Sequence, residues 1–356
     1  MSDTGIVIVN WNGWADTIEC LESIFRLDGF DGPVVVCDNG STDSSIETIE
    51  AWAKGSLCAL PQSSNREICS LVLPPVPKPI SHIVLSGDKH NIPETNKRRL
   101  IIVRVGKNLG FAGANNVGLR ILREQSGIHL FWLVNNDALP RRDALVQLRK
   151  SFFMDGRPEV GGSVLVEYWN PSDIQAAGAL FDATLIRASH HLTGSPLCAL
   201  ETMDRKVATD YPVGASMAVN RAFIEMAGLM NEDYFLYFEE IDWISRAKCE
   251  VAPFIATQSI VYHKGGAATQ SGYKVKKSKL SDYYWMRGRI LFAASRPVYV
   301  FLLVLLITLF AICKRIILMD VRSGMNAALG ALDGFRFVAS RITDRYRARC
   351  TRKADK

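Results

Sequence analysis

HLFWLVNNDALP, residues 129–140, is the stretch on which the reading of the whole chain turns. Five apolar residues, Leu130–Val134, run straight into Asn135, Asn136 and Asp137, and Pro140 closes the segment. A short, unbroken apolar run of this kind is the pattern of a strand buried on both faces of a parallel sheet. In such sheets ligands bind outside the carboxyl ends of the strands. A carboxylate backed by amides at that end is therefore a candidate binding element.

Working outward, three more runs have the same form. GIVIVN (5–10) ends in Asn10, Trp11 and Asn12. PVVVCDNGSTD (33–43) ends in Asp38, Asn39, Gly40 and Ser41. RLIIVRV (99–105) leads into Lys107, Asn108, Gly110, Phe111, Gly113, Asn115 and Asn116. Between them lie helical spacings: Ile18, Leu21, Ile24 and Phe25; then Ile46, Ile49 and Trp52; then Val117, Ile121 and Leu122. Ser41 or Thr42 is expected to cap the second of these helices. Alternating strands and helices predict an α/β fold of βαβ units with right-handed crossovers. One D-N-G stretch is also an ordinary turn, but four polar tips at one sheet edge make a site.

Two segments depart from this rhythm. Residues 55–99 hold the proline-rich LPPVPKPIS and one possible strand, His82–Leu85. That is long for an αβ connection, and it reads as a surface insertion. VYVFLLVLLITLFAIC (Val298–Cys313) is apolar on every side, yet its 16 residues fall short of the roughly 20 that span a bilayer. A hairpin or in-plane helix in the membrane, a span extended through Met319, and a buried core helix all remain open. Phe335, Val338, Ile342 and Tyr346, with arginines between, form an amphipathic interfacial candidate.

The totals fit this layout. A chain of 356 residues holds one large or two ordinary domains. The net charge of +6 resides in residues 336–356, where eight Lys/Arg face only Asp344 and Asp355. A basic tail after an apolar segment matches anionic lipid headgroups, a merely solubilising end being the alternative, and a charge-balanced body does not match nucleic acid. The eight cysteines show no C-x-x-C pairing, as expected of reduced thiols in the cytosol. The N-terminus lacks the basic and apolar regions of a signal peptide. Neither G-x-G-x-x-G after the first strand nor G-x-x-x-x-G-K-[ST] is present, so neither a dehydrogenase nor a P-loop NTPase is indicated. A single carboxylate, Asp137, suits a divalent cation, Mg2+ or Mn2+, whose other positions are filled by phosphate and water.

IVIVNWNG, VVVCDNGSTD, NLGFAGANNVG, LVNNDALP, YPVGASMAVNR and YFLYFEEIDWISR together resemble the ordered motifs of family 2 glycosyltransferases. Among these the chain is most similar to bacterial rhamnosyltransferases of cell-surface polysaccharide assembly. The resemblance covers about residues 5–295, and GMNAALGALDGFRF resembles the membrane-proximal end of those enzymes. It implies a GT-A fold: a Rossmann-like mixed sheet, mostly parallel, with helices on both faces, over residues 1–296. An apolar and basic membrane-associating region would follow over 297–356. The implied donor is a nucleotide-diphosphate sugar, dTDP- or UDP-linked, with rhamnose as the sugar. The implied acceptor is a polyprenyl-diphosphate-linked saccharide, at the cytoplasmic face of the inner membrane.

Carried over by residue, the resemblance places Asp38 at the base or ribose, with Asn10, Asn12 and Asn39 near the same pocket. Asn108, Phe111 and Asn115 would line the nucleotide. Asn135 and Asp137 occupy the outer positions of a D-x-D-like element, with Asn136 between. Asp137 would be the metal ligand, and Asn135 would offer an amide where the family has an acid. His263, in IVYHKGGAA, resembles the family's second metal ligand, although a lone histidine is more often structural. Gly214, Ala215 and Ser216 would border acceptor and diphosphate.

Sugar transfer needs a base for the attacking hydroxyl, neutralisation of the departing diphosphate, and alignment of the two substrates. Glu239, Glu240 and Asp242 stand close enough in sequence for mutual repulsion to raise a pKa. The resemblance makes Glu240 the base, with Asp242 as runner-up and Glu239 in support. The same acids could simply favour a helix N-terminus. Arg287 and Arg289 in DYYWMRGR are candidate diphosphate clamps, and YKVKKSKL (Tyr273–Leu280) a basic lid or an exposed loop. An inverting, metal-assisted glycosyltransferase is the leading expectation. A catalytically inactive sugar-nucleotide-binding or scaffold protein at the membrane is the alternative.

Overall fold

The computed structural model describes residues 3–87, 99–153, 155–247, 250–265, 279–318 and 320–354. It divides into two compact units. The first comprises Met1–Phe181, Ala188–Glu232 and Glu239–Ala268, and the second Asp182–Arg187, Asp233–Phe238 and Thr269–Lys356.

In the first unit the chain runs β1 (Thr4–Asn10), α1 (Trp14–Ile24), β2 (Val34–Asp38), α2 (Ser45–Lys54), α3 (Arg66–Val72), β3 (His82–Ser86), β4 (Leu100–Arg104), α4 (Gly110–Arg123) and β5 (Leu130–Asn135). These five strands lie in the order β3-β4-β2-β1-β5 and pair in parallel throughout. Their side chains alternate between two cores. Ile6, Ile8, Val34, Val36, Ile102, Trp132 and Val134 join one; Val7, Val35, Cys37, Ile101, Val103, Phe131 and Leu133 join the other. With helices over both faces, the central positions of each strand are apolar, which is why the runs read as continuous. Register aligns Asn10 with Asp38 and Val9 with Asn135, so the polar tips meet at one edge.

The chain continues through β6 (Ala138–Pro140), α5 (Ala144–Lys150), β7 (Val160–Glu167), β8 (Ile174–Ala176), β9 (Ala179–Asp182), β10 (Arg187–His190), β11 (Lys206–Ala208), β12 (Ser216–Asn220), α6 (Arg221–Ala227), α7 (Glu239–Ser245) and β13 (Phe254–His263). β12 runs antiparallel between β5 and β7, and β13 runs parallel to β7. The result is a mixed α/β architecture with a mostly parallel central sheet and helices on both faces, as expected.

Two local features differ from the sequence reading. Besides the expected strand, β3 at the sheet edge, the segment read as an insertion supplies α3, whose Ile68, Leu71 and Val72 are buried in the core. The neighbouring prolines hide this short helix from periodicity. The cap of α2 falls at Ser44, not at Ser41 or Thr42. Those two residues are already engaged: Ser41 Oγ accepts from the Asn12 N–H at 2.9 Å, and the Thr42 N–H donates to Asn12 Oδ1 at 2.7 Å.

The second unit contains α8 (Lys279–Ala293), α9 (Val298–Ile317) and α10 (Val321–Ala354). Residues 279–296, read from sequence as part of the first domain, group here because α8 packs along α10. The packing is close: a Cβ on Gly330 would strike the Tyr283 carbonyl, and one on Gly334 would lie 3.0 Å from the Arg287 carbonyl oxygen. Tyr237 and Phe238, both at positive φ, pack their rings on Trp285, 5.5 and 5.0 Å between centroids. α9 carries the apolar run on through Lys314 and Arg315 into a 20-residue helix, long and apolar enough by length and composition to cross a membrane. Val300, Val304 and Thr308 are buried along it, while Tyr299, Leu302, Leu306, Leu309 and Phe310 are exposed. α10 also exposes Val321, Met325, Leu329, Leu332 and Phe335.

Candidate active site

The carboxyl edge of β1, β2 and β5 is knitted by the predicted polar residues. Asn10 is fully buried; its amide donates to Asp38 Oδ2 at 2.8 Å and Ser41 Oγ at 3.1 Å, and its Oδ1 accepts from Thr17 Oγ1 at 2.7 Å. Asp38 also accepts from the Ser41 N–H at 3.1 Å. Asn39 ties this loop to the next, donating to Asn108 Oδ1 at 2.9 Å and accepting from the Leu109 N–H at 2.8 Å. Asn136 closes the ring by donating to Thr17 Oγ1 at 3.2 Å and the Gly13 carbonyl at 3.3 Å. Asn10, Asn12, Asp38, Asn39, Asn108 and Asn136 thus shape one rim.

α4 carries Phe111 and Asn115 to that rim. The helix approaches the sheet closely because Gly118 has no side chain: a Cβ there would lie 2.5 Å from Val7 Cγ1. Asn115 turns its amide onto the Phe111 carbonyl at 3.0 Å. Asn116 is occupied structurally, exchanging hydrogen bonds with Met230 at 2.9 and 3.0 Å.

Asp137 and His263 come together. Asp137 is 4 % exposed, and its Oδ1 lies 3.2 Å from His263 Nε2. β6 and β13 create the pairing, since Ala138 is in register with His263. The Lys264 N–H donates to the Asp137 carbonyl at 3.0 Å. Asn135 Nδ2 approaches His263 Nε2 at 3.4 Å. An oxygen and an imidazole nitrogen at this separation match two adjacent ligands of an octahedral cation, which at about 2.1 Å from the metal stand about 3 Å apart. Among the described residues no group of three or more His, Cys, Asp or Glu could hold a metal. The Asp137–His263 separation fits two donors to a divalent ion whose remaining positions other oxygens would fill.

Glu240 stands at the start of α7 beside the 213–216 turn. Its Oε1 occupies the space a Cβ on Gly214 would need, and Phe111 Cζ lies 3.2 Å from the same point. Burial pushes the Glu240 pKa above the ordinary glutamate value, partly offset by the backbone N–H groups of Glu240 and Gly214. Tyr211 is pushed up as well, first by burial and then by the charges of Glu240 and Glu239. The turn joins this carboxylate to the other half of the site, because the Asn135 N–H donates to the Ala215 carbonyl at 3.1 Å. Phe111, Gly214, Ala215, Asn135, Asp137, His263 and Glu240 are thereby gathered at one edge.

Other expected residues have different surroundings. Glu239 is buried, and Asp242 pairs with Arg246 at 3.0 Å. Arg246 is held in turn by the Leu229 carbonyl at 2.7 Å. Ser216 turns into the core, accepting from Trp132 Nε1 at 3.0 Å and donating to Ser163 Oγ at 2.9 Å. Within the second unit, Arg287 pairs with Asp333 at 2.8 Å and donates to the Asp233 carbonyl at 2.7 Å. Arg289 is buried and donates to the Leu185 carbonyl at 2.6 Å, and burial lowers its pKa. Positions 273–278 of the expected basic lid lie outside the described residues.

Sequence reasoning missed two groups. Gln175 on β8 places Oε1 2.6 Å from His263 Nδ1. Lys264 is buried against Asp16 and Glu19, at 2.6 and 2.5 Å, and Tyr168 donates to Glu19 at 2.5 Å. Spacing along the chain signals neither, because the partners are far apart in sequence.

No family model matches this chain, and no curated protein does. Solved structures do. GalNAc-T7, crystallised with UDP, GalNAc and Mn2+, aligns over 83 % of this chain with TM-score 0.53 and 13 % identity. The mannosyltransferase PcManGT from Pyrobaculum calidifontis, with GDP-Man and Mn2+, aligns over 95 % of this chain and 75 % of its own, with TM-score 0.48 and 14 % identity. S. aureus TarS 1-349 aligns over 82 % of this chain and 65 % of its own, with TM-score 0.44 and 13 % identity. This chain spans 50 % of the GalNAc-T7 chain. What the GalNAc-T7 alignment establishes is a shared fold.

Proposed function

We propose that this protein is a metal-assisted, inverting glycosyltransferase of the family 2 type. It moves a sugar from a nucleotide-diphosphate donor to a hydroxyl of a lipid-linked saccharide. The observation that carries the reading is the Glu240 carboxylate set against Gly214, on the same sheet edge as the Asp137–His263 pair. One base, with no evident nucleophile among the described residues, suits direct displacement with inversion.

In this mechanism the rim of Asn10, Asp38, Asn39 and Asn108 seats the nucleoside, and Phe111 walls the sugar side. Asp137 and His263 would hold a divalent cation, whose charge would offset that of the departing diphosphate. Glu240 takes the proton of the attacking hydroxyl; its raised pKa brings it nearer to working pH, as a general base requires. The Gly214 N–H fixes the carboxylate and the missing side chain leaves it room. Rhamnose, a dTDP or UDP carrier and a polyprenyl-diphosphate acceptor follow from the motif resemblance. GalNAc-T7 with UDP, GalNAc and Mn2+, on the same fold, supports a nucleotide-sugar donor and a divalent metal. The exposed apolar face of α9 and the basic tail support a peripheral or monotopic place on the cytoplasmic membrane surface.

The test is Glu240→Gln. Transfer should fall by at least about 10²-fold, the range of a lost general base, while calorimetric binding of the donor persists. Near-normal turnover would remove Glu240 from the mechanism. Donor binding by the wild type without transfer to any acceptor would favour an inactive binding protein.

A further inference from the structure

We propose that Gln175 is the positioning residue of the metal site: its amide oxygen holds the His263 proton on Nδ1 and so presents a bare Nε2 toward Asp137. The proposal rests on the reading of Asp137 and His263 as the metal's protein donors.

The hydrogen bonds determine the tautomer. Gln175 Nε2 donates to the His263 carbonyl at 3.4 Å. A carbonyl only accepts, so the amide nitrogen must face it, and the amide oxygen is turned to the ring at 2.6 Å from Nδ1. An acceptor at that distance requires N–H on Nδ1. The opposite side of the ring agrees: Asn135 Nδ2, a pure donor, faces Nε2 at 3.4 Å. Asp137 Oδ1 stands 3.2 Å from the same Nε2, the separation expected of two donors to one cation.

The surroundings hold the amide in place. The His263 carbonyl is also bonded by the Tyr168 N–H at 3.2 Å, which fixes the acceptor that orients Gln175. Gly265, at φ +77, leaves the amide its room, since a Cβ there would lie 3.0 Å from Gln175 Nε2. Metal-bound histidines commonly give their second N–H to such an acceptor, and its loss typically costs 10–100-fold in affinity.

The experiment uses the full chain, metal-free and labelled with 15N-histidine, above the imidazole titration range. Two-bond nitrogen–proton correlations read each tautomer, and the pattern missing from His263→Asn belongs to His263. Wild type and Gln175→Glu should show Nδ1–H, whereas Gln175→Leu should shift toward Nε2–H. The Kd for Mn2+ alone, from the free-ion EPR signal, should rise about 10–100-fold in Gln175→Leu and not in Gln175→Glu. Nε2–H in metal-free wild type overturns the proposal, as does an unchanged tautomer in Gln175→Leu. If Gln175→Leu does not fold, wild type and Gln175→Glu decide. A wild type with Nδ1–H that binds no Mn2+ would instead sink the metal-donor reading.

Discussion

Glu240 and Gly214 act as one unit at the residue scale. The glycine is required by space, since Glu240 Oε1 sits where a Cβ would be. Gly214→Ala should push the carboxylate aside and lower kcat by about 10²-fold, the cost of roughly an ångström of misplacement. Donor binding, measured by calorimetry, should change far less. The pH profile carries a second expectation. Burial raises the Glu240 pKa, so the proton-accepting form is lost on acidification at a pH above the ordinary glutamate range. The acid limb of kcat should lie there, and it should vanish from the residual activity of Glu240→Gln. The sign for stability is opposite to that of a salt-bridged acid. A carboxyl with a raised folded pKa stabilises the fold when protonated and loses that contribution as pH rises through it. Glu240→Gln should therefore keep or raise Tm at neutral pH.

At the element scale, the junction of β13 with α1 depends on a buried charge cluster. Lys264 follows His263 directly and lies between Asp16 and Glu19, while Tyr168 and the Gln62 N–H also donate to Glu19. These contacts hold the end of β13 where its histidine meets Asp137. Lys264→Met leaves Glu19 charged and buried without its cation, which typically costs 3–5 kcal/mol. Urea unfolding should show a loss of about that size, and adding Glu19→Gln should recover most of it. Independent, additive losses would mean that the cluster is not coupled.

On the scale of the whole molecule, the balance between body and tail governs location. α9 exposes Tyr299, Leu302, Leu306, Leu309 and Phe310, and the positive charge of the sequence lies after residue 335. The full chain should sediment with vesicles, more strongly when they contain anionic lipid and less at high salt. Leu306→Asp with Leu309→Asp places two charges at the middle of α9. At about 2.5–3.5 kcal/mol each for a central position, the pair should abolish sedimentation if α9 inserts. Retained sedimentation would assign membrane contact to α10 and the basic tail.

How much of this was legible beforehand varies with the range of the interaction. Strand runs, their polar tips and the α/β class were readable, because burial on two faces imposes a local pattern that needs no knowledge of the partner strand. Asp137 stood out locally, as an acid at the end of an apolar run, whereas the motif resemblance singled out Glu240 from its neighbouring acids. α3 was not readable, since one short helix among prolines has too few turns to show a period. Gln175 was invisible. Nothing in its neighbours marks it, and its bond to His263 spans 88 residues. The chain's own order thus determined which side chains were available and on which strand ends they stood. Only the folded sheet decided which of them meet, because hydrogen bonds and ion pairs depend on distances that register and crossover alone create.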